Sequence, residues 1–154
     1  MLRLFKNRLV ANGLVASALF DQDNFYDAFL SDLSNCRKEL IIECPFMTIR
    51  RISMLLPILR KLRRRGVTIL INTRDPAEHD DIYEQQALEA ISWLQELGAH
   101  VLYTGGHHRK LAILDRNVLW EGSLNILSHN DSCEIMRKIT SPILAEQMIR
   151  FLNI

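Results

Sequence analysis

Cysteine is scarce in this chain and poorly spaced for metal or disulfide work: Cys36, Cys44 and Cys133 make an odd count without a CxxC pair. That speaks against a disulfide framework. Each thiol falls in or beside an expected regular element, where it fills core volume, and this suits a reducing compartment and a cytoplasmic location. Long hydrophobic runs are missing too. The nearest, "LVANGLVASALF" at 9–20, is interrupted by Asn12 and Gly13 and is too short to span a bilayer, so no integral membrane association is expected. Arg3, Lys6 and Arg8 precede it, and Ala16-Ser17-Ala18 has the small-residue pattern of a signal-peptidase site. Export therefore stands as a second reading behind an N-terminal packing segment. Charge of one sign is not in excess: 19 basic residues face 18 acidic ones, so any signal for a nucleic acid or a membrane must be local. Repeats, linkers and low-complexity tracts are absent. The 154 residues read as one domain, 1–154, in which 1–20 packs at the margin or outside the core; a chain of this length buries roughly two thirds of its unfolded surface.

What is present is an alternation of periods. Phe25, Phe29, Leu30 and Leu33 recur at three- and four-residue spacing, which predicts a helix over 23–36. "ELIIECPF", 39–46, is a buried strand closed by Pro45, and Thr48 then opens a helix over about 49–65 that stops at Gly66. "VTILINT", 67–73, is a β-branched strand, and "RDPAEHDD" is a loop. A third helix over about 80–97 carries Ile82, Ala87, Ala90, Ile91, Trp93, Leu94 and Leu97 on its apolar face, and "HVLYT" is the next strand. These units imply right-handed crossovers. After Gly105 three short strands follow, "KLAILD", "VLWEG" and "CEIMRKI", and "SPILAEQMIRFLN" is a helix begun by Ser141 and Pro142. The expected fold is α/β: a mixed, mostly parallel sheet flanked by helices on both faces.

The chemistry is concentrated in "GGHHRKLAILDRNVLWEGSLN", 105–125. His108 and Lys110 are two apart, four residues precede Asp115, and six more precede Gly122-Ser123-Leu124-Asn125. Starting instead at His107 would put Arg109 in the lysine position and leave five residues before Asp115. Alternation along an extended segment also separates the pairs, sending His108 and Lys110 to one face and His107 and Arg109 to the other. This HxKx4Dx6GSxN pattern resembles the HKD motif of the phospholipase D superfamily, whose members cleave or transfer phosphodiesters. Glu134 looks like the family's trailing acidic residue, and Glu43-Cys44-Pro45-Phe46 and Arg65-Gly66-Val67 are similar to its strand-end and strand-start segments. The resemblance covers most of the chain and implies a phospholipase D-like α/β/α sandwich.

The residue types suit the implied reaction. A neutral His108 ring can attack phosphorus and form a phosphohistidine. Lys110 would neutralise nonbridging oxygens, while Asn125 and the Ser123 hydroxyl would donate hydrogen bonds to them. Glu134 would orient the imidazole by accepting from its other nitrogen. The resemblance gives Asp115 a structural role, with Gly122 a structural part of the motif. No metal and no cofactor are required by this scheme. The competing zinc set, His100, His107, His108 and His129, matches no usual ligand spacing. One motif supplies one histidine, and the family's reaction uses a second to protonate the leaving oxygen. The resemblance to small single-motif endonucleases therefore implies a homodimer with both His108 rings in one site.

For the substrate, Arg109, Arg74 and Tyr103 are candidate contacts. "RKLRRRG", 60–66, is either a phosphate-binding run or a solvated helix end whose cations offset the helix dipole. Tyr103 and Trp120 either stack a flexible single strand or belong to the core. A nuclease acting on DNA or RNA is the leading expectation. A phospholipase or phosphatidyltransferase, and a nucleic-acid-binding subunit of a larger assembly such as one with a helicase, are the alternatives.

Overall fold

The computed structural model describes residues 10–12 and 15–154. Among these residues eight strands and four α-helices follow one another as β1 (Val10–Asn12), β2 (Val15–Asp21), α1 (Phe25–Asn35), β3 (Glu39–Glu43), α2 (Ile49–Arg64), β4 (Thr68–Arg74), α3 (Asp81–Glu96), β5 (His100–Thr104), β6 (Leu111–Leu114), β7 (Val118–Gly122), β8 (Ile135–Thr140) and α4 (Pro142–Leu152). One sheet holds all the strands in the order β1-β2-β8-β7-β6-β3-β4-β5.

Alternation along the strands sorts their side chains onto two faces. Leu40 and Ile42, Ile69 and Ile71, Ala112 and Leu114, with Trp120 and Met136, join the buried faces of α1, α2 and α3 in the main core. The intervening residues Ile41, Leu111, Ile113, Leu119 and Ile139 meet Ala145, Ile149 and Leu152 of α4 in a smaller one. Trp120 is fully buried, and its indole meets Phe25 and Phe29 edge-on at 5.2 and 6.2 Å between ring centroids. Each such pair adds about 0.5–1.5 kcal/mol to the area it buries. The indole N–H donates to Asp32 at 2.9 Å, so this aromatic belongs to the core and is unavailable for stacking a strand.

The α/β sandwich is the expected one, with a different balance of pairings. Only β3–β4 and β4–β5 are parallel; the other five neighbours are antiparallel, so the sheet is not mostly parallel. Two causes account for this. The strands after Gly105 return by short connections instead of helical crossovers, and the N-terminal segment contributes pairing of its own. Val15–Asp21 lies antiparallel to β8 over six residue pairs, from Ala16↔Thr140 to Asp21↔Ile135, and Ala18 is buried. The reading of 1–20 as a packing segment thus missed a sheet strand; residues 1–9, 13 and 14 lie outside the described residues.

Smaller differences have local reasons. The strand expected at "KLAILD" is confined to Leu111–Leu114, because His107 to Lys110 are held by side chains and not by a ladder. Ile82 is exposed on α3 and Cys133 is exposed in the loop before β8, whereas Cys36 and Cys44 are core thiols. Burial pushes those two thiols up to about 12 and about 11, which keeps them protonated.

Candidate active site

β6 runs antiparallel to β3 with Leu111 opposite Glu43, so Lys110 enters the sheet where β3 ends. β7 returns beside β6, and the N–H of Gly122 donates to the carbonyl of Lys110 at 3.3 Å. The two halves of the HxK/GSxN pattern are therefore neighbours at one end of the sheet. Gly122 is required by this closeness: a Cβ there would stand 2.1 Å from the carbonyl oxygen of Ile135 and 2.9 Å from the Met136 Cα.

His108 is exposed, and Lys110 reaches back to it. The ammonium lies 3.0 Å from His108 Nδ1 and donates to the His108 carbonyl at 2.9 Å. His107 and Arg109 turn the other way, toward Glu43: His107 Nε2 is hydrogen-bonded to the Glu43 carboxylate, and Arg109 Nη1 is 3.9 Å from it. The two histidines thus face apart although this segment is not a strand, whereas Arg109, half exposed, also lines a cleft with Lys110.

Asn125 is half buried with its side-chain oxygen turned inward and unbonded. Its amide NH2 has no protein acceptor among the described residues and is a free donor. The following residues brace the turn against α1 and α2. Tyr26 donates its hydroxyl to the Ile126 carbonyl at 2.8 Å, and Thr48 N–H donates to Leu127 O at 3.0 Å. The Arg51 guanidinium lies 3.5 Å from the Tyr26 ring centroid and 3.4 Å from His129 Nδ1. Burial raises the Tyr26 phenol and lowers the Arg51 guanidinium from their ordinary values, so the phenol remains a donor.

Ser123 and Glu134 are engaged with each other. The Ser123 hydroxyl donates to Glu134 and accepts from Ile135 N–H at 3.0 Å, and Ser132 donates to the other carboxylate oxygen. In this arrangement Ser123 has no proton left for a phosphate, and Glu134 meets two serines instead of the His108 ring. Both residues shape the turn from within. Asp115 is at the far end of β6, accepting backbone N–H groups from Arg37, Lys38 and Glu39 at 2.9, 2.7 and 3.0 Å. These bonds tie the end of β6 to the entry of β3.

The substrate candidates divide. Arg109 and Lys110 line a cleft of about 660 Å³ with Arg137, Leu19, Ile135 and Phe151. Arg74 is committed to Glu78 at 2.7 Å, and Tyr103 is exposed on the edge strand β5. The run at 60–66 is on the wrong end: β4 is parallel to β3, and α2 carries the chain back to their starts, so its C-terminus lies beyond Thr68 and Glu39. A 16-residue helix is about 24 Å long, which sets these cations well apart from the Glu43 end where His108 sits. The proposed zinc histidines are not gathered either. His100 begins β5 at that same remote end, His107 binds Glu43, and His129 rests on Thr48 and Arg51. No group of three or more His, Cys, Asp or Glu side chains placed to hold a metal occurs among the described residues.

Sequence reasoning passed over Glu43, which is completely buried and central to the site's underside. The available signal was an acidic residue ending an otherwise apolar strand, in "ELIIECPF".

Residues 29–153 match the family described as "Cardiolipin synthase, PLD-like domain". The chain belongs to the phospholipase D superfamily. It is accordingly a phosphoesterase of the HKD type, and the residues matched include the whole motif from His108 to Asn125. Among solved structures it is similar to Nuc, a phospholipase D family member from Salmonella typhimurium (TM-score 0.72, 16% identity, 89% of this chain and 91% of that one). NucT from Helicobacter pylori is similar to the same degree (0.71, 19%, 89% and 92%). Phosphatidylserine synthase from Haemophilus influenzae Rd KW20 matches over 90% of this chain and only 38% of its own (0.67, 15%). No curated protein matches the sequence. At these identities the structural likeness establishes the fold alone.

Proposed function

We propose that this phospholipase D-like protein is a nuclease that cleaves DNA or RNA through a phosphohistidine on His108, in a site completed by a second copy of the chain. The observation that carries the reading is the exposed His108 ring beside Lys110, with the unpartnered amide NH2 of Asn125 in the adjoining turn.

The chemistry can be followed atom by atom. With the ammonium donating to Nδ1, a neutral His108 ring carries its proton on Nε2, the form of a proton donor. Attack through Nε2 needs the proton on Nδ1, and a phosphate draws Lys110 off the ring by offering it a charge-assisted partner. The Nε2 lone pair then forms the N–P bond while the bridging P–O bond breaks. The leaving oxygen takes its proton from His108 of the second copy. Water, deprotonated by that second ring, next displaces the first histidine, so that a phosphodiester and water yield a phosphomonoester and an alcohol. Lys110 and the Asn125 amide stabilise charge on the nonbridging oxygens throughout. No step uses a metal or a cofactor.

Trp120 being a core residue, a preference for single strands rests on Tyr103 alone. A second reading, transfer or hydrolysis at a phospholipid, is favoured by the apolar side of the cleft beside Lys110, where Leu19, Ile135 and Phe151 are exposed. Incubation in EDTA with labelled single-stranded DNA, duplex DNA, RNA and phospholipid vesicles separates the two: nucleic-acid cleavage without lipid turnover is expected, and the reverse result overturns the nuclease reading. Sedimentation at the assay concentration should show a dimer; a strict monomer with full activity would sink the two-histidine scheme. The remote position of the cationic run gives a third expectation. Changing Arg60, Lys61 and Arg64 together to Ala should leave turnover unaltered, with stability within about 0.5 kcal/mol per site in thermal unfolding.

A further inference from the structure

We infer that the buried Glu43–His107 pair is the positioning device of this site: one carboxylate beneath the HHRK segment sets which of its residues face the substrate. This rests on the reading of His108 as nucleophile.

Begin with what the sheet order demands. β5 is the edge strand and β6 lies on the far side of β3, so residues 105–110 must cross the ends of β4 and β3. Three strand spacings amount to about 14 Å. The crossing segment has no regular ladder, and it is held at two points. Gly106 N–H donates to both Glu78 oxygens at 3.1 and 3.0 Å. One residue later, His107 Nε2 is bonded to Glu43 Oε2, and both side chains are essentially inaccessible, at 1% and 0% exposure.

The carboxylate is itself fixed. Its other oxygen accepts from Asn72 Nδ2 at 3.1 Å, and Asn72 Oδ1 accepts from the Thr104 hydroxyl at 2.9 Å. Arg109 Nη1 reaches the same oxygen as His107, at 3.9 Å. His107 is therefore held down on Glu43, while Arg109, half exposed and lining the cleft beside Lys110, keeps Nη1 within ion-pair reach of the same oxygen. In an extended segment, 108 and 110 must then point up, which is how His108 and Lys110 come to meet each other. A one-residue slip would exchange the pairs and remove the nucleophile from the site.

Stability alone gives a poor account of this pair. A buried ion pair is often no better than two well-packed apolar side chains, whereas losing one partner is costly. The His107 Nδ1 atom is buried with no hydrogen-bond partner, a further expense that an apolar residue would avoid. What Leu at both positions could not supply is an acceptor with a fixed direction.

The test is built on that contrast. The double variant Glu43→Leu/His107→Leu is expected to unfold at or above the wild-type temperature, yet to lose about a hundredfold in kcat with KM little changed, the scale of a misplaced reacting group. Glu43→Gln, which keeps an acceptor for the imidazole, should retain at least about ten times the double variant's kcat. Recovery of wild-type kcat in the double variant would show a purely structural pair and overturn the inference, as would a Gln variant no better than the double. NMR of the His108 ring protons separates this from the function itself. If the wild type cleaves nothing, the nuclease reading fails, and the ring signals still decide: they should shift and broaden in the folded double variant, and unchanged signals overturn the positioning role.

Discussion

Replacing His108 with Ala is expected to abolish the proposed nucleic-acid cleavage, with a loss of at least about 10⁴ in kcat, while the protein stays folded. The size follows from the composition of the proposed dimeric site. One substitution removes the nucleophile from one copy and the general acid from the other, and acid–base assistance alone contributes about 10²–10⁴. Losses of groups that act as a unit do not add, so a Lys110→Ala change on the same background costs little more, although alone it costs about 10²–10³. The fold tolerates the change because, among the described residues, the exposed ring bonds only to Lys110, and surface substitutions of this kind lie within about 0.5 kcal/mol. Mixed dimers sharpen the test. If each site needs two intact histidines, activity in randomly reassorted mixtures of wild type and His108→Ala falls as the square of the wild-type fraction. A linear fall would mean that one histidine is sufficient and would remove the second copy from the mechanism.

Much of this site was legible as spacing, and the reason is physical. The distance along the chain from His108 to Lys110, and from Lys110 through Asp115 to Gly122 and Asn125, is set by a four-residue strand, a tight reversal and a returning strand. A hairpin leaves little freedom in such counts, so a motif of single residues can report a three-dimensional arrangement. Helices with apolar stripes were equally plain, since α1, α2 and α3 bury most of the face that their periodicity marks, Ile82 at the start of α3 being the exception.

What escaped was whatever depends on partners distant in sequence. The strand Val15–Asp21 opens on small residues, and its longer pairing is with β8, more than a hundred residues later. Glu43 looks like a charged end to an apolar run until the 105–110 crossing is laid over it. The pattern assigns Ser123 to the phosphate and Glu134 to the His108 ring; that the two satisfy each other is a contact between segments that sequence spacing does not report. The direction of α2 likewise decides the fate of its basic end, and a local run of arginines carries no information about which end of a sheet it will occupy.

Asp115 offers the largest expected effect on stability, with a pH dependence whose sign can be worked out. Burial pushes its carboxyl up, but hydrogen bonds from the N–H groups of Glu39, Lys38 and Arg37 and from the Cys36 thiol outweigh it and hold the group below its ordinary value. A carboxyl lowered in the folded state contributes stability that is present above its unfolded pKa and is lost as pH falls through the folded one. Asp115→Asn isolates this contribution, because the residue sits at φ +53°, which Asn also accepts. The amide can still accept from Lys38 and Glu39, but it sets an NH2 group against the Arg37 N–H. Hydrogen bonds to a charged acceptor are worth about 1.5–3 kcal/mol each, so a loss of about 2–3 kcal/mol is expected at pH 7. For a domain of this size that is a fall of about 4–12 °C in Tm. At a pH low enough to protonate the wild-type carboxylate itself, below the ordinary carboxylate range, the gap between the two proteins narrows. Thermal unfolding at both pH values checks the sign, and a gap that stays constant would show that the carboxylate charge is not what holds the β3 entry to the β6–β7 turn. Because Asp115 is at the end of β6 remote from Lys110, kcat measured well below the variant's Tm stays at the wild-type value, and a large loss there would mean that the turn reaches the site through β6 itself.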